Sequence, residues 1–359
     1  MNKARFIGID LCRGLAAFAV ILVHSGDETW GIPISDRSIQ FRHLFYFAVP
    51  FFLAASFYFA TKKLPINISG SFWQKKFKRI VVPYLFWSIF FLFSKSIVFL
   101  ATNNPSQSQE LLSDPIAIIF LGAASYHLYF IPLLFIGMLW LYSANYLLEK
   151  QIIYLFCLII FSLIIYQLLL SSDNSFDLGT YTAFADLRSL VQPDSLIHPL
   201  WRIALVNIAW LIRCLPYFLI SILLNQLFKK YNSRWLYQKQ TIILIALLFI
   251  LVDSIGKNYL PDAVSEITIA YSLLLLGISS SKYLTENNLI TSLGLCSFGI
   301  YLIHPFIKSL VEIALVKILP QLTQSVSITS ILLYSISTFL ISWLVISLIL
   351  KNKLLSQYI

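Results

Sequence analysis

The chain has 359 residues, 58% of them hydrophobic and 12% charged, with a mean hydropathy of +0.80. Soluble domains carry about a quarter charged residues, so a soluble fold is excluded and a polytopic membrane protein is indicated. The formal charge of +10 follows from where the cations fall along the chain and calls for no nucleic-acid partner.

Apolar runs of spanning length fall near 7–25, 43–61, 80–101, 127–147, 152–170, 204–228, 240–255, 264–281, 291–314 and 327–350. The run at 240–255 is the weakest, and 115–123 reads as a short helix at the membrane surface. The expected fold is therefore an all-α polytopic membrane protein of about ten transmembrane helices, forming one transmembrane domain over 1–359 with both termini cytoplasmic. With that orientation, the basic groups at Lys3 and Arg5, Lys62 and Lys63, Lys75 to Arg79, Lys229 and Lys230, and Lys351 and Lys353 lie inside. The opposite loops hold only Arg37, Arg42, Arg188, Arg202, Lys257 and Lys317, while most acids fall on that side. The cations face membrane lipids of anionic headgroup, and the expected location is a bacterial cytoplasmic (inner) membrane.

The first run, IDLCRGLAAFAVILVHSG, places Asp10, Arg13 and His24 inside a span. Ionisable groups there are costly and mark functional sites that face the bundle interior. Arg13 and His24 are 11 residues apart, about three helical turns, so they share a face and stand roughly 16 Å apart. Small side chains at Ala16, Ala17 and Val20 lie between them and suggest a passage for a slender ligand. A cleaved signal peptide is the alternative for residues 1–25, but Asp10 and Arg13 interrupt the apolar run and no A-x-A-like site follows it.

Further along, Lys75, Lys76, Lys78 and Arg79 crowd the start of the third span. Lys76 and Arg79 share a helix face if that helix begins early, and two cations there would clamp a phosphate; an ordinary positive-inside anchor is the plainer alternative. Among the histidines, His24, His43, His127, His198 and His304 all map to the outer half under this topology. His43 and His198 read as interfacial. His304, Lys308 and Glu312 follow at four-residue intervals and make a polar stripe in which Lys308 and Glu312 neutralise each other. Lys95, Arg213, Asp253 and Glu266 are the other intramembrane charges, and pairing among them is the expectation. The external loop at about 171–203 holds mixed acids and Tyr181, suited to a hydroxyl-rich ligand but equally to plain solvation. Cys12, Cys157, Cys214 and Cys296 stand singly, which argues against a disulfide framework or a zinc site and reads as four small core residues.

Taken together, Asp10-x-x-Arg13-x10-His24, the VPFFLAASF run at 49–57, Lys76-x-x-Arg79-Ile-Val-Val-Pro83-Tyr84, His127-Leu-Tyr-Phe-Ile-Pro132 and SFGIYLIHP at 297–305 resemble the membrane-bound acyltransferase-3 family in order and spacing. The resemblance implies a ten-helix domain that takes an acyl group, commonly acetyl, from coenzyme A on the cytoplasmic side and modifies a hydroxyl of a surface glycan outside. Such a donor has a phosphate-rich head, which Arg13, Lys76, Arg79 and Lys75 would hold, and a thin arm ending in a thioester. At the far end His24 would deprotonate an acceptor hydroxyl or take the acyl group itself, and both routes stay open. Asp10, His127 and His304 join it as candidate catalytic residues, orienting the acceptor or stabilising developing charge. The expected donor is acetyl-CoA or another short acyl-CoA, with no metal, and the expected acceptor is a cell-envelope polysaccharide or lipid-linked oligosaccharide. Two departures stand out: Lys76-x-x-Arg79 replaces an Arg-x-x-Arg, and Ala55-Ser56 replaces a Ser-Gly in the second span. With no fused extracytoplasmic domain evident, the chain is expected either to transfer directly or to hand the group to a separate partner, and a homo-oligomer is a further expectation. A transporter or flippase of lipid-linked sugars or acyl groups is the competing class, and a structural partner in polysaccharide assembly the third.

Overall fold

In the computed structural model, the described residues are 5–26, 34–65, 68–101, 114–172, 199–231, 233–319 and 326–359. Hydrocarbon offers no hydrogen-bond partners, so a spanning backbone must satisfy itself, and helices dominate here. They are α1 (Ile7–Val23), α2 (Asp36–His43), α3 (Ala48–Thr61), α4 (Gly70–Ala101), α5 (Phe130–Gly137), α6 (Ala144–Leu148), α7 (Ile152–Ser171), α8 (Pro199–Lys230), α9 (Lys239–Leu251), α10 (Asp262–Ser280), α11 (Asn288–Ile318) and α12 (Ile328–Ile349). A 3-10 segment, Met138–Ser143, joins α5 to α6 into one span. Among the described residues the extended structure consists of an isolated bridge between Ile34 and Val326.

The chain is an all-α polytopic membrane protein. Nine helical stretches among the described residues are long and apolar enough to cross a membrane, and α1, with 17 residues, accounts for the remaining expected run. Helix ends follow local chemistry: the Asn287 side chain accepts from the Leu289 N–H at 2.8 Å ahead of α11, and Ser327 and Ser330 form a capping box at the start of α12. The segment at 115–123 is a short helix and no further span, as expected. It is a single π-helical turn, Ala117–Leu121, whose Ala117 and Leu121 are buried while Ile119 and Phe120 face outward. Tyr84 ties it to α4 by donating to the Ile118 carbonyl at 2.7 Å.

Burial separates centre from rim. No residue of α9 is buried, and Leu244, Leu247 and Leu251 face the surroundings, as a lipid-facing helix requires. By contrast α1 is buried along most of its length and packs against α11, α10, α12 and α3. Ala16 and Ala17 are wholly buried, so the small-residue stripe between Arg13 and His24 is filled by helix packing and is not an open passage at those two positions. Cys12, Cys214 and Cys296 are core residues as expected, but Cys157 is exposed on the outer face of α7.

Close approach of α1 and α11 rests on Gly294. A Cβ there would stand 2.4 Å from the Asp10 Cβ and Oδ1, well inside contact distance. Gly294→Ala is therefore expected to destabilise the protein by roughly 1–3 kcal/mol, as overpacking does, and to lower the melting temperature in detergent. Gly70→Ala, where a Cβ meets nothing within 4 Å, serves as the control; equal melting temperatures for the two variants would refute the packing argument.

Candidate functional site

Three histidines distant in sequence meet near one end of α1. His24 caps that helix, and its ring stacks on His304 of α11 with centroids 6.0 Å apart. His127 lies 5.0 Å from His304 in edge-on geometry. The loop after Leu121 carries it there: Gly122, at φ +88°, has the backbone of Tyr129 so close that a Cβ would meet its N at 2.4 Å, and the Tyr301 hydroxyl donates to the His127 carbonyl. Tyr126 from the same loop packs its ring 4.4 Å from that of His24, the two planes tilted by 50°.

Two tautomers follow from backbone carbonyls. A carbonyl only accepts, so a ring nitrogen bound to one carries the proton. His304 donates from Nδ1 to the Tyr301 carbonyl at 2.7 Å, and His127 donates from Nε2 to the Leu302 carbonyl at 3.2 Å. Each ring is left with one bare nitrogen, Nε2 of His304 and Nδ1 of His127, both buried and without a hydrogen-bond partner. Two unfilled acceptors at one spot in a membrane interior are a site for a donating group.

Cations surround this group. Lys308, one turn after His304, is buried with its Nζ 5.7 Å from the Tyr126 ring centroid, and it acts electrostatically on His24 and His304. It also interacts with Glu312, as expected. Arg42 of α2 is buried, donates from Nη1 to the Ser25 carbonyl at 3.4 Å and adds its charge to the field at His24. Lys95 faces His127.

The other end of α1 forms a basic pole. Because α4 begins at Gly70, Lys76 and Arg79 share a helix face. Arg79 lies within electrostatic reach of both Lys76 and Arg13, and the Arg13 guanidinium covers the Phe59 ring at 5.5 Å. Lys62 adds to this end, its Nζ 4.0 Å from the Phe6 centroid. Lys75 is exposed on the same turn of α4. Asp10 belongs here and not with the histidines: it is buried, pairs with Arg5 and sits 14 residues before His24, about 21 Å along the helix. Its carboxylate offsets the charge of Arg13.

Beside His24 opens a cavity of about 370 Å³, bounded by Val20 and Val23 of α1, by Phe47 to Pro50 at the start of α3, by Tyr129, and by Arg213, Ser265 and Glu266. Arg213 and Glu266 pair at 3.1 Å, the neutralisation expected of intramembrane charges. Tyr166 and Tyr217 donate to the same carboxylate at 2.8 and 2.6 Å.

The structure thus gathers His24, His127 and His304 at one pole and Arg13, Lys76 and Arg79 at the other. Sequence reasoning missed Tyr126, which directly precedes His127, and Arg42, which reads as a loop cation. His43 is exposed and stacks on Tyr46 at 4.7 Å. The expected recognition loop falls mainly at 173–198, outside the described residues, as does His198. Arg202, at the far end of that loop, pairs with Asp114.

A family model described as an acyltransferase domain, that of acyltransferase-3, matches residues 6–347. No curated protein and no solved structure matches the chain.

With ¹⁵N-labelled imidazoles, the protein at neutral pH is expected to show His304 protonated at Nδ1 and His127 at Nε2 in its nitrogen chemical shifts. The opposite tautomer at either ring would contradict the carbonyl assignments and the vacant acceptor pair.

Proposed function

The chain belongs to the acyltransferase-3 family, and on that premise we propose that it transfers a short acyl group, with acetyl as the expected one, from acyl-CoA at the basic pole to a hydroxyl of an envelope glycan or lipid-linked oligosaccharide at the histidine pole. The observation that carries this reading is the pairing of two chemically distinct poles on α1, Arg13 with Arg79 at one end and His24 with His304 at the other. A coenzyme A thioester has the same asymmetry: phosphates that need cations, an elongated arm, and a reactive carbon at the far end. The location proposed is a bacterial cytoplasmic membrane, with the basic pole on the cytoplasmic side.

In this reading Arg13, Lys76 and Arg79 hold the phosphates, and Asp10 keeps Arg13 in place. His24 accepts the proton of the acceptor hydroxyl as its oxygen attacks the thioester carbon. A C–O bond forms, the C–S bond breaks, and the coenzyme A thiolate takes the proton from His24. Negative charge on the carbonyl oxygen in the tetrahedral state is stabilised by Lys308 and Arg42, whose fields already converge on His24. The bare nitrogens of His304 and His127 accept from hydroxyls and orient the acceptor.

Isothermal calorimetry with acetyl-CoA is expected to show binding to the purified wild type and an affinity about tenfold or more lower for Arg13→Ala, the loss of a charged hydrogen-bond donor. A wild type that binds no short acyl-CoA would contradict the reading and favour a transporter. His24→Ala is expected to retain donor binding while losing transfer by about 10²–10⁴-fold, the range of general-base catalysis. Full transfer by that variant would remove His24 from the chemistry. For Lys76→Ala and Arg79→Ala the expected effect is a raised donor KM before any fall in kcat; a fall in kcat at constant KM would contradict a phosphate-holding role.

A further inference from the structure

We infer that the cavity beside His24 is the subsite for the sugar residue that accepts the acyl group, and that Ser265 and Glu266 of α10 position it. The inference rests on the acyltransferase reading above and adds to it where the acceptor binds and which side chains select it.

The cavity of about 370 Å³ falls within the roughly 300–1,000 Å³ of small-molecule pockets. It shares His24 with the histidine group, so a molecule in it has direct access to the proposed base. Its walls divide by chemistry. Val20 and Val23 of α1 and Phe47 and Val49 at the start of α3 are apolar, while α8 and α10 bring the polar Arg213, Asp262, Ser265 and Glu266 beside Ile269.

Ser265 supplies the observation that points to a ligand. It is 2% exposed, its hydroxyl has no hydrogen-bond partner, and it lines the cavity. A buried hydroxyl left without a partner in a membrane bundle is costly, and a ligand that both donates and accepts would satisfy it. Glu266 is fixed for the same purpose. Tyr217 and Arg213 bind its Oε1, whereas Oε2 takes only the Tyr166 hydroxyl among the hydrogen bonds resolved to it, and a carboxylate oxygen accepts two. The side chain remains 18% exposed and borders the cavity. Arg213 pairs with it, and Asp262 at the start of α10 also borders the cavity, so the polar wall is rich in hydrogen-bond acceptors.

A wall of carboxylate and hydroxyl acceptors beside an apolar wall matches a sugar ring, which presents hydroxyls at its edge and C–H groups on its face. A phosphate or an acyl chain matches only one of the two walls. The acceptor unit is therefore a sugar ring whose hydroxyls reach Ser265 and Glu266 while one of them faces His24.

The test uses the full-length protein in its own cells with the chromosomal copy removed. Two quantities are measured for each variant: acetyl-CoA binding by the purified protein, and ester-linked acyl groups released by mild alkali from the envelope polysaccharide. Val49→Trp fills the cavity from α3, far from the basic pole. It is expected to lower the acyl content by about tenfold or more with the acetyl-CoA Kd unchanged within about twofold; Ser265→Ala is expected to lower it about threefold, the scale of one hydrogen bond. Wild-type acyl content in a folded, donor-binding Val49→Trp protein would overturn the inference.

Should Val49→Trp fail to bind donor, Val49→Cys in a Cys157→Ser background decides the matter, because Val49 is half-buried and lines the cavity. A membrane-impermeant thiol reagent added to intact cells is expected to abolish further acylation and to spare donor binding. Modification without loss of acylation, or no modification at all, would overturn the inference. A wild type that neither binds acyl-CoA nor acylates glycan identifies a different failure, that of the acyltransferase reading, and the subsite falls with it.

Discussion

Three imidazoles, a lysine and an arginine held together inside a membrane bundle are tolerable only if the surrounding backbone and side chains satisfy them, and the contact between His24 and His304 is where that constraint is met. It places α1 against α11, with His24 stacked on His304 and Gly294, about three turns before His304, admitting Asp10. It also explains why the loop after Leu121 dips into the bundle. Without Tyr126 over His24 and His127 edge-on to His304, the imidazoles would face unfilled space. The backbone carbonyls of Tyr301 and Leu302 then fix which nitrogen of each ring is bare.

From that contact α1 runs to the basic pole. Its ends carry opposite chemistry, cations with Asp10 at one and imidazoles with buried cations at the other, while Ala16 and Ala17 between them are buried against neighbouring helices. Separation by roughly 16 Å of helix keeps a donor's charged head away from the reacting carbon. The second polar group, Arg213 with Glu266 and two tyrosines, is a compensated ion pair. Such a pair contributes little net stability and much positional definition, which is what a wall of the cavity needs.

Much of this was legible in the sequence for a simple reason: hydrocarbon leaves only one economical backbone, so each of the ten apolar runs became a helix or a span built of short helices. The 11-residue interval from Arg13 to His24 gave their shared face because helical periodicity is fixed. His304 and Lys308 followed by the same rule. What the sequence withheld depends on tertiary approach. Tyr126 enters the site through irregular backbone, which carries no period to read, and Arg42 comes from the short helix α2, whose place against α1 no local pattern encodes. The filling of the Ala16 and Ala17 stripe depends on neighbours that bring their own side chains. Asp10 shares α1 with His24, yet rise along the axis separates what sequence proximity seemed to join. Cys157 faces outward because α7 lies at the rim, a matter of bundle order that no local pattern encodes.

The central claim is that donor and acceptor chemistry occur at opposite ends of α1. It is tested most directly in sealed proteoliposomes of uniform orientation, with radiolabelled acetyl-CoA supplied only on the side of Arg13 and Arg79 and envelope glycan only on the side of His24. The account predicts labelled ester on the glycan, with no label transferred when donor is confined to the His24 side. Transfer that proceeds only when donor and acceptor share one compartment would contradict it.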